Sequence, residues 1–403
     1  MRTESGLDVL CRDRLDLLRG RRVGVLCHPA SVAGDLTHVV DRLIEVGIRP
    51  VRLFGPEHGV RGEAQDMIGL PDERDARTGI PVVSLYGDTF ESLAPAAADL
   101  DGLDVLVVDL QDIGSRYYTY VWTMALALGA ASRAGVAVVV LDRPNPLGGD
   151  AIEGGGVREG YESFVGLGAI PVRHGLTIGE IARLCLRGMP WGGPRFARPL
   201  DGDLTVVPMR GWRRAMRFPE TGLPWVMPSP NMPTPDTALV YPGQCLFEAT
   251  NLSEGRGTTR PFEIVGAPFL DGYAWAEALD QLAGALPGVR FRPLSFRPTF
   301  HKFGGRSCGG VQLHVTDAGA FRPYLTGIAL LATARRLASA EFRWRTEPYE
   351  FVADRAAIDL LTGGDLIRNA VERGAPLTEI AGSMEPFERA FAEHRRPVLF
   401  AEY

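Results

Sequence analysis

Short apolar runs and longer amphipathic stretches alternate through the first 145 residues of the chain. Most of the short runs lack polar interruptions, as in strands whose two faces are both covered. Five strands are predicted in this way, at residues 23–27, 50–54, 81–85, 105–109 and 136–142. Residues 36–46 and 121–133 have the length and apolar spacing of helices, and the second ends at Ala134-Gly135. This order of elements predicts βαβ units that build a parallel sheet.

The pattern changes after residue 147. Residues 147–231 are rich in Gly and Pro and are predicted to be mostly loop, with one helix that starts at the capping box of Thr177 and Glu180. The run PWVMPSPNMPTPD has too many prolines for a helix or a central strand, and we place a domain boundary just after it. Beyond it, one strand and three helices are predicted, at residues 310–315, 273–286, 321–340 and 375–395. The predicted fold is therefore α/β: a Rossmann-like parallel-sheet domain at residues 1–237, followed by a smaller α+β domain at residues 238–403.

Composition and charge narrow the function classes. Hydrophobic residues form 45% and charged residues 23% of the 403-residue chain, so we expect a globular protein with a sizeable core. The formal net charge of −6 gives no electrostatic footprint for nucleic acid or for an anionic membrane. Lys302 is the only lysine, which argues against a Walker A loop and against lysine Schiff-base chemistry.

Cysteine usage and hydropathy bear on the compartment. The five cysteines are odd in number and widely spaced, so neither a disulfide framework nor a zinc knuckle is predicted. The first residues contain no apolar signal-peptide region, and the longest apolar run, at residues 121–131, is too short to span a bilayer. We therefore predict a cytoplasmic protein that does not engage a membrane.

Polar side chains follow every predicted strand of the parallel sheet. Because ligands of such sheets bind beyond the carboxyl ends of the strands, these positions are the first candidates for function. The residues in question are His28, Glu57 with His58, Tyr86, Gln111 with Asp112, and Arg143 with Asn145. Five such strand ends predict a cleft.

The segment FGPEHGVRGE follows the second strand. Its Gly and Pro residues predict a tight turn that holds Glu57 and His58 rigidly at the strand tip, as a general acid or base requires. The alternative is that Glu57 caps a helix and that His58 is an ordinary hydrogen-bonded loop residue.

The segment DLQDIGSRYYTYVW follows the fourth strand. Its carboxylates, together with Arg116 and Tyr118, have the composition of a carbohydrate-binding site. The alternative is that Asp112 caps the next helix and that the tyrosines only pack in the core.

Four loops that are distant in sequence carry further polar motifs, LDRPNP, RHGLTIGE, PSPN and NLSEGRGTTRPFE. They supply the candidate binding residues Asn145, His174, Asn231, Glu254 and Arg256. Arginine can hold a carboxylate in a forked geometry, although many surface arginines are simply solvated.

Three familiar patterns are not supported. GRSCG matches the G-x-S-x-G nucleophile motif, but a strand-like run follows it instead of a helix, so a glycine-rich turn is predicted. No G-x-G-x-x-G follows the first strand, which argues against a nicotinamide cofactor. No His spacing typical of a metal site is present, and we expect neither a metal nor a cofactor.

The motifs FGPEHG, DLQDIGSRYYTY, LDRPNP, PSPNMPT and NLSEGRGTTRPFE, in this order, resemble the peptidoglycan exo-β-N-acetylmuramidase family, long catalogued as a domain of unknown function. The resemblance extends from about Arg21 to the C-terminus. It implies an enzyme that removes single N-acetylmuramic acid residues from the non-reducing ends of peptidoglycan fragments, in a cleft between a Rossmann-like domain and a smaller C-terminal domain. It also implies that Glu57 is the catalytic glutamate. Because many relatives are exported and this chain shows no signal peptide, recycling of imported fragments inside the cell is the simpler expectation.

The chemistry of the residues agrees with this resemblance. Glycoside hydrolysis needs an acid for the leaving oxygen and a second group at the oxocarbenium-like centre. We predict Glu57 as the acid, tuned by His58, and Asp112 as the second group, which either activates water or orients the 2-acetamido group of the substrate. The lactyl carboxylate of muramic acid calls for an arginine, and the candidates are Arg116, Arg143 and Arg256.

Rival functions stay open from the sequence. A non-catalytic muropeptide sensor would keep the same cleft, and a metal-dependent amidase or deacetylase would use His58, His174 and Asp112. An NAD-dependent glycosidase lacks its dinucleotide-binding turn. In each case a small carbohydrate is the expected ligand.

Overall fold

The structure is a computed structural model that describes residues 2–61, 73–190 and 194–403. A seven-stranded sheet forms the centre of the first domain, in the order β3-β4-β2-β1-β5-β6-β7. Six of its strands run parallel, and the short strand β3 pairs antiparallel with β4 at one edge. The strands are β1 (Val23–Cys27), β2 (Arg52–Gly55), β3 (Glu73–Arg74), β4 (Pro81–Ser84), β5 (Val105–Asp109), β6 (Ala137–Leu141) and β7 (Leu204–Val207).

The predicted parallel sheet is confirmed. Strands β1 and β5 have the predicted bounds, and they are buried at every residue because helices cover both faces of the sheet. Strand β7 corrects the interpretation of residues 147–231 as mostly loop and cover, since it extends the main sheet. Its LTVV run is short and half-buried at the edge, so it carries only a weak apolar pattern.

Helices flank the sheet and build most of the second domain. Those before residue 198 are α1 (Gly6–Asp13), α2 (Val39–Glu45), α3 (Ala97–Leu100), α4 (Tyr120–Ala134), α5 (Ile178–Arg187) and α6 (Pro194–Ala197). Those that follow are α7 (Pro235–Gln244), α8 (Gly272–Asp280), α9 (Pro323–Leu337), α10 (Ala357–Thr362), α11 (Leu366–Glu372) and α12 (Leu377–Arg395). In the described ranges, no helix is both long enough and apolar enough to cross a bilayer.

The predicted helix signals hold where they can be compared. Helix α4 ends at Gly135, which adopts a left-handed φ of 69° and donates its N–H to Ala131. Thr177 accepts a hydrogen bond from the N–H of Glu180, and the Glu180 carboxylate accepts one from Thr177 in return, which is the predicted capping box.

The second domain contains a three-stranded antiparallel sheet in the order β8-β10-β9, formed by β8 (Ile264–Ala267), β9 (Val289–Phe296) and β10 (Cys308–Val315). A Cβ atom on Gly310 would overlap the carbonyl oxygen of Val265, so the close pairing of β10 with β8 requires glycine there. The predicted turn of the segment GRSCG is confined to its first residues, because Cys308 and Gly309 already belong to strand β10. The predicted boundary between residues 237 and 238 falls inside α7.

One hydrophobic cluster joins the two domains. It runs from Trp122 and Leu126 of α4 to Trp275 of α8 and Leu330 of α9. A second cluster, which includes Leu10 of α1 and Val40 of α2, covers the opposite face of the large sheet. The two domains therefore share one core instead of meeting at a wet boundary.

The C-terminal residue fastens the end of the second domain to the first. The Tyr403 hydroxyl donates a hydrogen bond to Oδ2 of Asp142, just after β6, at 2.7 Å, and it accepts one from the N–H of Met209 at 2.8 Å. Asp142 also accepts hydrogen bonds from the Thr177 hydroxyl and the Gly179 N–H. Burial, and then the nearby charge of Glu180, raises the pKa of Asp142 from 3.8 to about 7 in spite of these donors.

This pKa predicts how stability changes with pH. Between about pH 4 and pH 7 the folded protein keeps a proton on Asp142 that the unfolded chain releases, so the contribution of Asp142 to the free energy of unfolding is lost as the pH rises. The variant Asp142→Asn resembles the protonated acid and should flatten this dependence. Urea unfolding at several pH values measures the slope, and an identical slope in the wild type and the variant would contradict the assignment.

Candidate active site

A cavity lies between the two domains, beyond the carboxyl ends of the strands. The predicted site residues on its wall are Glu57, His58, Tyr118, Asn231 and Arg256. The second domain adds Tyr241, Glu248, Tyr349 and Glu350. Every described side chain of the lining except that of Glu248 is buried, so the wall is formed by side chains packed between the two domains.

Glu57 and His58 occupy the predicted tight turn after β2. The Gly59 N–H donates to the Pro56 carbonyl at 2.8 Å and closes the turn. Thr119 donates its hydroxyl to Oε2 of Glu57 at 2.9 Å from the start of α4, and the Glu57 residue is only 7% exposed. The turn therefore presents one buried carboxylate to the cavity in a fixed orientation.

Asp112 does not appear among the described residues that line the cavity. Its Oδ2 atom accepts a hydrogen bond from the Gly114 N–H at 2.7 Å and lies 3.2 Å from Nε2 of His174. Nδ1 of His174 accepts from the Leu176 N–H at 3.1 Å, which fixes the orientation of the ring. Asp112 and His174 thus form a buried pair that joins two loops behind the cavity wall.

Two of the three candidate arginines hold the protein together instead of facing the cavity. Arg116 is fully buried, and it donates to the carbonyl oxygens of Gly155, Ile170 and Leu361. Arg143 pairs with Asp109, with Nη2 2.8 Å from Oδ2. Neither arginine is among the lining residues in the described ranges.

Asn145 also makes hydrogen bonds that hold loops together away from the cavity. Its amide donates to the Leu176 carbonyl at 2.9 Å, and its side-chain oxygen accepts from the Leu147 N–H at 3.0 Å. Asn145 therefore links the LDRPNP loop to the RHGLTIGE loop, and it is not among the described residues of the cavity wall.

The tyrosines of the YYTY segment form one wall of the cavity. Tyr118 packs edge-to-face on Tyr120 and on Tyr241, with ring centroids 4.9 Å and 5.8 Å away. Tyr120 donates its hydroxyl to the Pro228 carbonyl at 2.6 Å and so anchors the PSPN loop that carries Asn231. Burial raises the pKa of Tyr118, so its hydroxyl stays protonated.

Arg256 is the candidate arginine that lines the cavity. Its Nη2 atom donates to Oε1 of Glu248 at 2.7 Å, and the Tyr349 hydroxyl donates to the other oxygen of Glu248, also at 2.7 Å. The guanidinium also lies over the Phe262 ring, 5.1 Å from its centroid. Arg256 is thereby held in one orientation at the cavity wall.

Glu254 lies behind Arg256, fully buried and outside the described lining. Three cationic or titratable groups surround it: Nζ of Lys302 at 3.0 Å, Nδ1 of His301 at 3.2 Å and Nε of Arg256 at 3.3 Å. Burial alone would raise the pKa of Glu254, but Lys302, His301 and Arg256 hold it below its ordinary value. Glu254 is therefore an ionised anchor for the Arg256 side chain.

Left-handed backbone conformations occur at three non-glycine residues of the wall. His58 has a φ of 72°, Phe262 of 64° and Glu350 of 47°. Such a conformation costs on the order of 1–2 kcal/mol per residue and persists where the surroundings impose it. Backbone strain of this kind is a common property of functional sites.

The sequence interpretation missed Glu248, Tyr349 and Glu350. Glu248 belongs to an apolar turn, CLFEA, which directly follows α7. Tyr349 and Glu350 belong to an irregular segment without a recognisable motif. An acidic residue within an apolar run was the one available signal, and it marks only Glu248. In the described ranges, no group of three or more His, Cys, Asp or Glu side chains is arranged to hold a metal ion.

Comparison with known proteins places the chain in a family. Residues 23–236 match the family model of exo-β-N-acetylmuramidase NamZ, N-terminal, and residues 239–400 match the corresponding C-terminal model. The chain is 44% identical over 399 residues to the peptidoglycan β-N-acetylmuramidase NamZ of Bacillus subtilis (strain 168), which covers 99% of this chain and 91% of that protein. The chain belongs to the exo-β-N-acetylmuramidase family, as its motifs predicted.

Solved structures agree with this assignment. A DUF1343 family protein from Bacteroides fragilis NCTC 9343 superimposes with a TM-score of 0.86 at 32% identity. A second DUF1343 family protein from the same organism gives a TM-score of 0.77 at 27% identity. Each comparison covers 99% of both chains, so the two-domain architecture is shared over the whole length.

The Lys302 contact predicts a stability effect. Lys302→Met leaves the buried Glu254 carboxylate short of one cation, which should lower the free energy of unfolding by about 2–3 kcal/mol. Adding Glu254→Gln removes the uncompensated charge, so the double variant should recover part of the loss. Urea unfolding measures both.

The matched control is Arg306→Met, which removes an exposed positive charge from the same loop and should change stability little. Losses that simply add in the double variant would contradict the charge-pairing explanation.

Proposed function

We propose that this chain is an exo-β-N-acetylmuramidase that releases N-acetylmuramic acid from the non-reducing end of peptidoglycan fragments. The observation that carries the proposal is that one cavity is lined both by a rigidly held carboxylate, Glu57, and by an oriented guanidinium, Arg256. The first suits acid catalysis at a glycosidic oxygen, and the second suits the lactyl carboxylate. Cytoplasmic location, a role in fragment recycling and the domain boundary at residues 237–238 stay predictions from the sequence.

Glu57 is the proposed general acid. When the glycosidic bond breaks, the oxygen that stays on the leaving sugar takes up negative charge. A proton from Glu57 neutralises that charge. Thr119 donates to one oxygen of Glu57, which keeps the carboxyl group in place while the proton moves. His58 follows in the same turn and lines the same cavity, so it is proposed to assist this step.

The second catalytic role requires a group that meets the sugar at its anomeric carbon. Asp112, the expected partner, is tied to Gly114 and His174 behind the wall, so we do not assign it this step. Glu248 already binds Arg256 and Tyr349 through its two oxygens. The remaining groups are Glu350 and the 2-acetamido group of the substrate itself, which acts as an internal nucleophile in some glycosidases.

Arg256 is the proposed partner of the lactyl carboxylate. Its planar guanidinium is suited to a carboxylate in two-pronged geometry, and Glu248 and Glu254 fix its orientation. Because Lys302 neutralises much of the charge on Glu254, Arg256 keeps positive charge available for a ligand. Tyr118 and Asn231 complete the wall and are proposed to contact the sugar ring.

The drop in rate on removing the acid should depend on the leaving group of the substrate. Glu57→Gln should lower kcat for the disaccharide of N-acetylmuramic acid β-linked to N-acetylglucosamine by roughly 10²–10⁴-fold. The loss should be much smaller for a nitrophenyl glycoside, whose leaving group needs no proton. Rates with both substrates, for the wild type, Glu57→Gln and Thr119→Val, provide the measurement.

An equal loss of activity on the two substrates would argue against an acid role for Glu57. Binding of the disaccharide without turnover by the wild type would instead indicate a sensor protein, and inactivation by a chelator would indicate metal-dependent chemistry.

Loss of Arg256 should relax specificity. Arg256→Met should lower kcat/KM for N-acetylmuramic acid glycosides by about tenfold or more, with little change for the matching N-acetylglucosamine glycosides, which carry no lactyl group. Competition between the two nitrophenyl glycosides measures the preference.

Arg260→Met is the matched control, because Arg260 lies in the same motif, pairs with Glu263 and has a 45% exposed side chain. An unchanged preference in Arg256→Met would exclude Arg256 as the lactyl-binding residue.

A further inference from the structure

A strained two-residue turn stands at the edge of the cavity. Tyr349 and Val352 exchange backbone hydrogen bonds of 2.9 Å and 3.0 Å, which closes a hairpin loop over the two residues between them. Both of these residues are left-handed, Glu350 with a φ of 47° and Phe351 with a φ of 66°. Turns of this kind normally use Asn and Gly, which adopt the conformation without strain. The chain instead holds a carboxylate and a large aromatic side chain there.

The turn places its two side chains differently. Glu350 lines the cavity and is 6% exposed, whereas Phe351 is 38% exposed and is one of the few large apolar side chains at the surface. A buried lining residue is thus followed directly by an exposed ring, so Phe351 marks the rim of the cavity next to Glu350. The exposed part of the Phe351 ring offers apolar area that a ligand at the rim could cover.

Rings from the first domain support Phe351 at this rim. Tyr86, which follows β4, lies 6.0 Å from Phe351 and 6.0 Å from Phe164, and Phe90 lies 6.4 Å from Phe351, all between ring centroids. Phe164 precedes Val165, which lines the cavity. We call Phe351, Tyr86, Phe90 and Phe164 the rim cluster. It spans both domains beside the cavity.

We propose that Phe351 binds the sugar on the leaving side of the scissile bond, an N-acetylhexosamine, by packing its ring against the C–H face of the pyranose. This inference rests on the proposed function. An exo-acting enzyme encloses the terminal residue, and the next sugar must remain where the cavity opens. The negative face of an aromatic ring attracts the polarised C–H groups of a pyranose, and the rim cluster holds the Phe351 ring in place for that contact.

The test compares substrates that differ only on the leaving side. One is the β-linked disaccharide of N-acetylmuramic acid and N-acetylglucosamine, and the other is the trifluoroethyl β-glycoside of N-acetylmuramic acid, which has no leaving-side ring. Phe351→Ala should lower kcat/KM for the disaccharide by about tenfold, mainly through KM, and should change the trifluoroethyl glycoside less than about twofold. Phe351→Tyr keeps the ring and should behave like the wild type with both.

Two further variants separate the ring from the fold. Phe351→Gly also removes the ring but fits a φ of 66° without strain, so it should lose the same disaccharide activity while unfolding at a higher temperature than Phe351→Ala. Tyr273→Ala removes a 73% exposed aromatic side chain from α8 and should leave both substrates unaffected.

Each outcome has a defined meaning. Equal losses on the two substrates, or no loss on either, would overturn the leaving-side assignment while the proposed function stands. Failure of the wild type to cleave either substrate would instead refute the proposed function, and the leaving-side assignment with it.

Discussion

A charge that is taken out of water needs an opposite charge or several hydrogen bonds, and this requirement organises the loops behind the cavity. Arg143 pairs with Asp109, and Lys302 pairs with Glu254, in both cases across segments that are distant in sequence. The first pair joins the ends of β5 and β6, and the second joins two loops of the second domain. The cavity wall is therefore built on polar contacts that fix the loops, and the residues facing the substrate depend on them.

The fold was predictable wherever burial imposes a strong apolar pattern. Strands β1 and β5 and helix α4 are buried over nearly their whole length, so packing leaves an unbroken signature in the sequence. Strand β9 shows the opposite case, since its VRFRPLSF run mixes exposed Arg residues with a proline and pairs only within a small sheet. Elements of that kind are defined by their neighbours more than by their own composition.

The candidate site was predictable in its residue types but only partly in its members. Glu57, His58, Tyr118, Asn231 and Arg256 reach the cavity wall. The sequence could not separate them from Asp112 or Arg116, because polar residues that hold loops together and polar residues that meet a ligand occur in the same motifs. Which role a side chain takes depends on the direction in which its loop faces, and that is set by contacts with residues far away in the chain. Residues such as Glu248 belong to the cavity wall only because the second domain forms that side of the cavity.

The C-terminal segment has a mechanical consequence. Arg395, at the end of α12, donates to the carbonyl oxygens of Gly149 and Gly175, and Tyr403 is bonded to Asp142, all in the first domain. The second domain is thus tethered at both of its ends, where α7 enters it and where α12 leaves it. A domain that is fixed at both ends cannot rotate as a rigid body about one of them. We therefore expect substrate exchange to proceed through rearrangement of side chains and short loops where the cavity opens, without separation of the two domains.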